Sequence, residues 1–205
     1  MSSLNELVRD VVTWSHRDDM DLLAPKFIKL AESAMYDNPK SPLLVRELEF
    51  ISTTTATTSR LTMPERFERI RSIGVMVNGE QRKLQYQAPQ QLRKRSGKSI
   101  PTFYTVVGSV IELDVIPDNT YQVELQYFRK LIPLSETNQF NEILLNHYNI
   151  YLFGALSELF SHVLDVEQEQ RYTAKFHAAI EGANKADKKG RYGVAPVMSV
   201  QGVTP

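Results

Sequence analysis

The chain has 205 residues, with 24 Lys plus Arg against 24 Asp plus Glu, 42% hydrophobic and 23% charged residues, and no cysteine. That balance excludes a disordered polyelectrolyte, allows a real core for one domain or one domain carrying an insertion, and confines any charge argument to regions of the chain. Without cysteine there are no disulfides, thiolate metal sites or cysteine nucleophile, which fits assembly in a reducing compartment.

Residues 1–19 carry charges throughout and hold no apolar run of the secretory kind, so no signal segment is expected. Ser3 and Glu6 form a capping box, after which Leu4, Leu7, Val8, Val11 and Trp14 recur at helical spacing. The polar run 15–21 breaks this pattern. Its Asp18, Asp19 and Asp21 lack the glycine and terminal glutamate of a calcium loop, so they read as a solvated, helix-capping turn. A second helix is predicted from about Asp21, with Pro25 in its first turn and Phe27, Ile28, Leu30, Ala31, Ala34 and Met35 on its apolar face. Asn38-Pro39 and Ser41-Pro42 lie past its end, and residues 44–50 read as a short helical turn or the beginning of a strand.

From Ile51 the character changes. Residues 52–59 are an uncharged Ser/Thr-rich run. Val75, Met76 and Val77 lead into Asn78-Gly79, a pair suited to the positive φ angles of a type I′ hairpin turn. Gly108-Ser109 breaks two further β-branched runs, and Pro117-Asp118-Asn119 is a turn. Residues 121–127 alternate apolar and polar with period two. Residues 51–130 are therefore predicted to form a small antiparallel sheet with short hairpins.

Helix returns after Pro133. A helix capped by Thr137 or Asn138 and running to about Leu164 is apolar on most sides, so it must be buried on most sides. A neighbouring subunit would supply the extra cover, with Tyr148, Tyr151, Leu152 and Phe160 at that contact. The stretch 143–164 is interrupted by Asn146, His147, Asn149, Glu158 and His162, so it is not a membrane span. Asp165 caps a last helix bearing Tyr172, Phe176, Ile180 and Ala183, and residues 190–205 have no helical period. The expected fold class is α+β: an antiparallel helical bundle (1–50 and 134–189) with an inserted small antiparallel β domain (51–133) and an extended C-terminal tail (190–205).

Few residues carry chemistry. The histidines His16, His147, His162 and His177 lack metal-site spacing; Glu158 and His162 share a helix face, but two ligands do not make a zinc site. No G-x-S-x-G, Walker loop or G-x-G-x-x-G occurs, so no catalytic residue, metal or cofactor is expected. One regional charge signal exists. Residues 81–98 hold Arg82, Lys83, Arg93, Lys94, Arg95 and Lys98 with Tyr86 among them and no acid, either a phosphate-tracking patch or a solvated loop. Lys185, Lys188 and Lys189 suit the dipole at a helix C-terminus. Arg191 and Tyr192, at the start of the tail, are typical interface anchors.

The ordered series of segments resembles a family of head–tail adaptor proteins from tailed bacteriophages. It is carried by residues 27–33, 61–67, Gly79 with Leu84, the block 101–113, Pro117, residues 121–127, 132–135, Asn138, 151–158, Asp165 and the tail containing Arg191. The Thr-rich run 52–59 departs from the family's pattern. The resemblance implies a dodecameric ring in the virion beneath the portal protein, assembled in the host cytoplasm. Such a ring extends the channel for packaged DNA without reading its sequence and offers a platform to tail and nozzle proteins. It also implies a tail that docks on the portal, through Arg191, Tyr192, Val194, Pro196, Val197 and Met198. Two readings from other classes stay open: a free nucleic-acid-binding protein working through residues 82–98, and a cell-wall-degrading tail enzyme.

Overall fold

A computed structural model describes residues 3–38 and 42–192. The chain divides into two compact units: Leu48–Leu131, built of strands, and the flanking segments Met1–Glu47 and Ile132–Pro205, built of helices. The protein is α+β.

In the helical unit, α1 spans Leu4–Ser15, with Ser3 as N-cap accepting the Glu6 N–H at 3.2 Å. Leu4, Leu7 and Val11 are buried as their spacing predicts, but Trp14 is 48% exposed, its ring 6.4 Å from that of Phe153. His16 ends the helix in the left-handed region at φ 54°. The acidic turn is a short 3-10 segment, Asp18–Met20, in which Asp19 accepts from Arg17 at 2.8 Å. Helix α2 spans Ala24–Asp37, beginning a little later than predicted, and buries Phe27, Ile28, Ala31 and Met35. Leu30 is left 52% exposed.

The predicted long helix after Pro133 is two. α3, Glu142–Asn146, is capped by Asn141, whose Oδ1 accepts the Leu144 N–H at 2.8 Å; the chain turns at His147, and α4 spans Tyr148–His162. The cap at Asn141 lies past Thr137 and Asn138, because Asn138 is spent on the preceding loop, donating to the carbonyls of Ile132 and Pro133. α5, Val166–Tyr192, starts at Asp165, which accepts the Gln168 N–H at 3.1 Å, and buries Tyr172, Phe176, Ile180 and Ala183. It runs through Gly190, so Arg191 and Tyr192 belong to its last turn and not to an extended tail.

α4 packs against α1, α2 and α5 at once. Gly154 is a point of close approach: a Cβ there would lie 2.8 Å from the Ala31 Cβ and 3.0 Å from the Phe176 ring. This corrects the expectation that a neighbouring subunit covers the surplus apolar surface. Tyr151, Leu152 and Phe160 are 1%, 4% and 8% exposed within the chain itself. The extra cover comes from three helices of the same chain, an arrangement a single-helix reading cannot supply.

The β unit holds β1 Glu49–Ala56, β2 Arg60–Thr62, β3 Phe67–Val77, β4 Glu80–Lys83, β5 Gln85–Tyr86, β6 Phe103–Val107, β7 Val110–Leu113 and β8 Tyr121–Arg129. These form two four-stranded sheets, ordered β1-β8-β3-β4 and β2-β7-β6-β5, where one antiparallel sheet was expected. The β5–β6 pair is parallel. The correction has a simple cause. A strand face such as Val123, Leu125 and Tyr127 needs an apolar layer opposite, and Leu61, Tyr104, Ile111 and Leu113 of the second sheet provide it in one shared core. The predicted hairpin turn at Asn78-Gly79 forms, the break at Gly108-Ser109 is a second hairpin turn, and the turn at 117–119 leads from β7 to β8 in the other sheet, so it closes no hairpin. Asn78 and Gly79 have φ 51° and 84° between the paired Val77 and Glu80, and Gly108 has φ 58° between Val107 and Val110.

Candidate functional site

The basic residues fall on two supports. Arg82 and Lys83 lie on β4, the outer strand of the first sheet, and Arg93, Lys94, Arg95 and Lys98 lie in the segment 87–102 beside the second sheet. All six are exposed, but two are engaged. Lys94 pairs with Glu112 at 3.2 Å, and Glu112 also takes Arg60 at 3.0 Å. Those hydrogen bonds, Lys94 first, hold the Glu112 carboxyl below its usual range. Arg95 pairs with Asp114 at 2.8 Å and donates to the Ile100 carbonyl at 3.0 Å. Among the described residues, Arg82, Lys83, Arg93 and Lys98 make no ion pair. The acids that neutralise part of the patch come from β7 and the residue after it, outside the window in which the sequence shows only cations.

The end of α5 is fastened to residues 42–46 of the same unit. Asn184 Oδ1 accepts the Leu44 N–H at 2.8 Å and its Nδ2 donates to the Pro42 carbonyl at 2.9 Å. Asp187 accepts the Arg46 N–H at 3.3 Å and pairs with Arg191 at 2.6 Å. Arg191, expected as a tail anchor, is thus an internal partner of the buried Asp187. Val194, Pro196, Val197 and Met198 lie outside the described residues.

Burial concentrates titratable chemistry at one place the sequence did not mark. Glu32 of α2 is 6% exposed. Its Oε1 accepts the Tyr151 hydroxyl at 2.6 Å, and that hydroxyl accepts from Asn141 Nδ2 at 2.7 Å. Burial pushes the Glu32 carboxyl up, partly offset by Tyr151, the Leu134 backbone, Asn141 and Lys29. Tyr151 is pushed up as well, by burial and by Glu32. Tyr148, half-buried, donates to Asp10 at 2.5 Å. The carboxylate is enclosed by its partners and ties α2, α4 and the α3 cap together, which is structural work. The signal available in sequence was Glu32 standing between Ala31 and Met35 on the apolar face.

His162 packs on the Phe27 ring at 5.4 Å, and no group of three or more His, Asp or Glu fit to hold a metal occurs among the described residues. No described helix is long and apolar enough to cross a membrane.

The fastened helices and the closed Glu32–Tyr151–Asn141 cluster give these buried polar groups structural roles. Residues 2–199 match the family described as SU10 adaptor protein, and the chain belongs to that family of bacteriophage structural proteins, components of the virion. The match agrees with the resemblance to head–tail adaptors drawn from the ordered segments. No curated protein matches the chain at a significant level.

Proposed function

We propose that the protein is a head–tail adaptor subunit. It forms a dodecameric ring beneath the portal, lengthens the DNA channel and offers tail and nozzle proteins a platform. The observation that carries this reading is the family match over residues 2–199. On this reading the helical unit is a bundle whose crossover is replaced by the β unit.

The fastening of α5 supports a portal contact because Asn184 and Asp187 hold its last turns against residues 42–46, so Arg191 sits on an anchored helix. Arg191, Tyr192, Val194, Pro196, Val197 and Met198 remain the proposed portal contact, with Arg191 shared between Asp187 and the partner. Ring closure needs a heterologous contact between different faces of neighbouring subunits. Half-buried Tyr148 and exposed Trp14, Leu22, Leu30, Leu164 and Val166 are among the apolar side chains available to it, whereas Tyr151, Leu152 and Phe160 are internal. Arg82, Lys83, Arg93 and Lys98 face packaged DNA through phosphates alone, which positions without reading sequence.

Electron microscopy of portal mixed with this protein tests the reading. A ring at the portal's base is expected with the full chain and is lost when the chain ends after Tyr192, a cut that spares the Arg191–Asp187 pair. Portal that stays bare at saturating protein rejects the adaptor reading, and a truncated chain that still forms the ring rejects the tail contact.

A further inference from the structure

β1 is the outer strand of the first sheet and pairs on one side only, with β8. Past Glu49, no backbone hydrogen bond among the described residues reaches its outer side. Unpaired edges invite another strand, and proteins ordinarily blunt them with charge, proline or shortness. The other outer strands obey this. β4 carries Glu80, Arg82 and Lys83, while β2 and β5 are three and two residues long. β1 does not: it is eight residues long, and past Glu49, which is paired with Arg71, it has neither charge nor proline. Ile51, Thr53, Thr54 and Thr55 on it are exposed.

Beside this edge lies a groove of about 240 Å³, with Thr53, Thr54 and Thr62 on its rim and Ile73, Ile111, Val123 and Leu125 on its floor. An unguarded backbone edge next to an apolar groove is the geometry of strand addition. The main chain supplies a ladder, and alternate side chains of the incoming strand point to one face. We propose that β1 receives a β-strand from a partner protein. The segment is extended and uncharged over on the order of five residues, with an aliphatic side chain at every second position to fill the groove.

The pattern of this chain argues against its supplying the strand itself. Residues 193–205 are uncharged and Val194, Met198 and Val200 would share one strand face, but Pro196 between them lacks the N–H that a ladder takes, and Val197 and Val203 fall on the opposite face. β4 of a second copy would bring Arg82 or Lys83 over the apolar floor, where an unpaired charge is costly. β1 of a second copy would offer chiefly serine and threonine to an aliphatic floor.

The test is amide hydrogen exchange of residues 49–56 in the full chain. The probes are a capped heptapeptide with valine at its second, fourth and sixth positions and polar uncharged residues between, and a control of the same composition with the valines adjacent. At about 1 mM the alternating peptide should slow exchange at alternate residues of 51–55 by at least about tenfold, and the control should not. Thr54→Lys, at an exposed position, should keep the fold and abolish the slowing. Equal slowing by both peptides, or none, overturns the proposal. Concentration-dependent protection without peptide, removed by Thr54→Lys, also overturns it, in favour of pairing between copies of this chain. The inference rests on the β unit alone and does not depend on the portal contact.

Discussion

Arg95 places its Nε 2.9 Å and its Nη2 2.8 Å from one carboxylate oxygen of Asp114, while the other oxygen takes the N–H groups of Thr102 and Phe103 at 3.0 and 3.2 Å. The partners are unequally placed: Asp114 is 1% exposed and the Arg95 side chain 44%. Removing the acid strands two part-buried backbone donors and the Arg95 guanidinium, whereas removing the cation leaves Asp114 with its N–H partners and lets water in. Asp114→Ala should therefore cost about 3 kcal/mol and Arg95→Ala about 1 kcal/mol in urea unfolding. Equal costs would show that the ion pair, and not the backbone donors, holds the segment.

Glu32 gives stability a pH dependence whose sign can be worked out. Its carboxyl is raised in the folded chain, so as pH rises the unfolded chain loses this proton first. Stability therefore falls from the ordinary carboxylate range up to the folded-state value and is level above it. Glu32→Gln keeps an acceptor for Tyr151 and removes the titration. Its stability relative to the native chain should grow with pH through that window and then stay constant, read by denaturation at several pH values. A pH-independent difference would show that folding leaves the titration of Glu32 unshifted.

Tyr151→Phe deletes the hydroxyl that donates to Glu32 and accepts from Asn141. It leaves a buried carboxylate short of a donor, and a cost of about 2 kcal/mol is expected. In Glu32→Gln the same change should cost less, because a charged acceptor is no longer exposed to the loss. A double-mutant cycle measures the difference.

Gly154→Ala gains about 1 kcal/mol of helix propensity but sets a methyl group 2.8 Å from Ala31. Overpacking of this kind costs about 1–3 kcal/mol, so a net loss is expected, with the chain still folded. Pairing it with Ala31→Gly should return part of the loss in thermal unfolding.

Leu164 is 84% exposed and holds the left-handed conformation, φ 61°, that closes α4, with the Asp165 N–H donating to the Phe160 carbonyl at 3.0 Å. A side chain in that region costs about 1–2 kcal/mol. Leu164→Gly should raise stability by about 0.5–1 kcal/mol after the added freedom of the unfolded chain is counted. If the same substitution weakens ring formation, the exposed leucine is serving a contact.

Much of the local structure was legible because its causes are local. Ser3 with Glu6, Asp165, Asn78-Gly79 and the alternation of residues 121–127 each act within a few residues, and each sits where its chemistry requires. What was hidden depends on partners far along the chain. The cations of residues 81–98 looked uncompensated because Glu112 and Asp114 come from another strand region. α4 looked in need of a neighbour because nothing local to it shows that α1, α2 and α5 converge there. The break at His147 was missed because the apolar residues Ile143, Leu144 and Leu145 resume as Tyr148, Ile150 and Tyr151 beyond the polar Asn146 and His147, and Arg191 read as a tail anchor because Asp187 sits inside a lysine-rich run.

The pairing of Glu49 with Phe128 brings the first and last strands of the β unit side by side. Neighbouring Cα atoms across such a pair are about 5 Å apart, the span of a tight turn. For the chain as a thread, the strands between are then a detachable cassette. Because its two ends already meet, residues can be added or removed between them without moving the points where the chain enters and leaves the β unit.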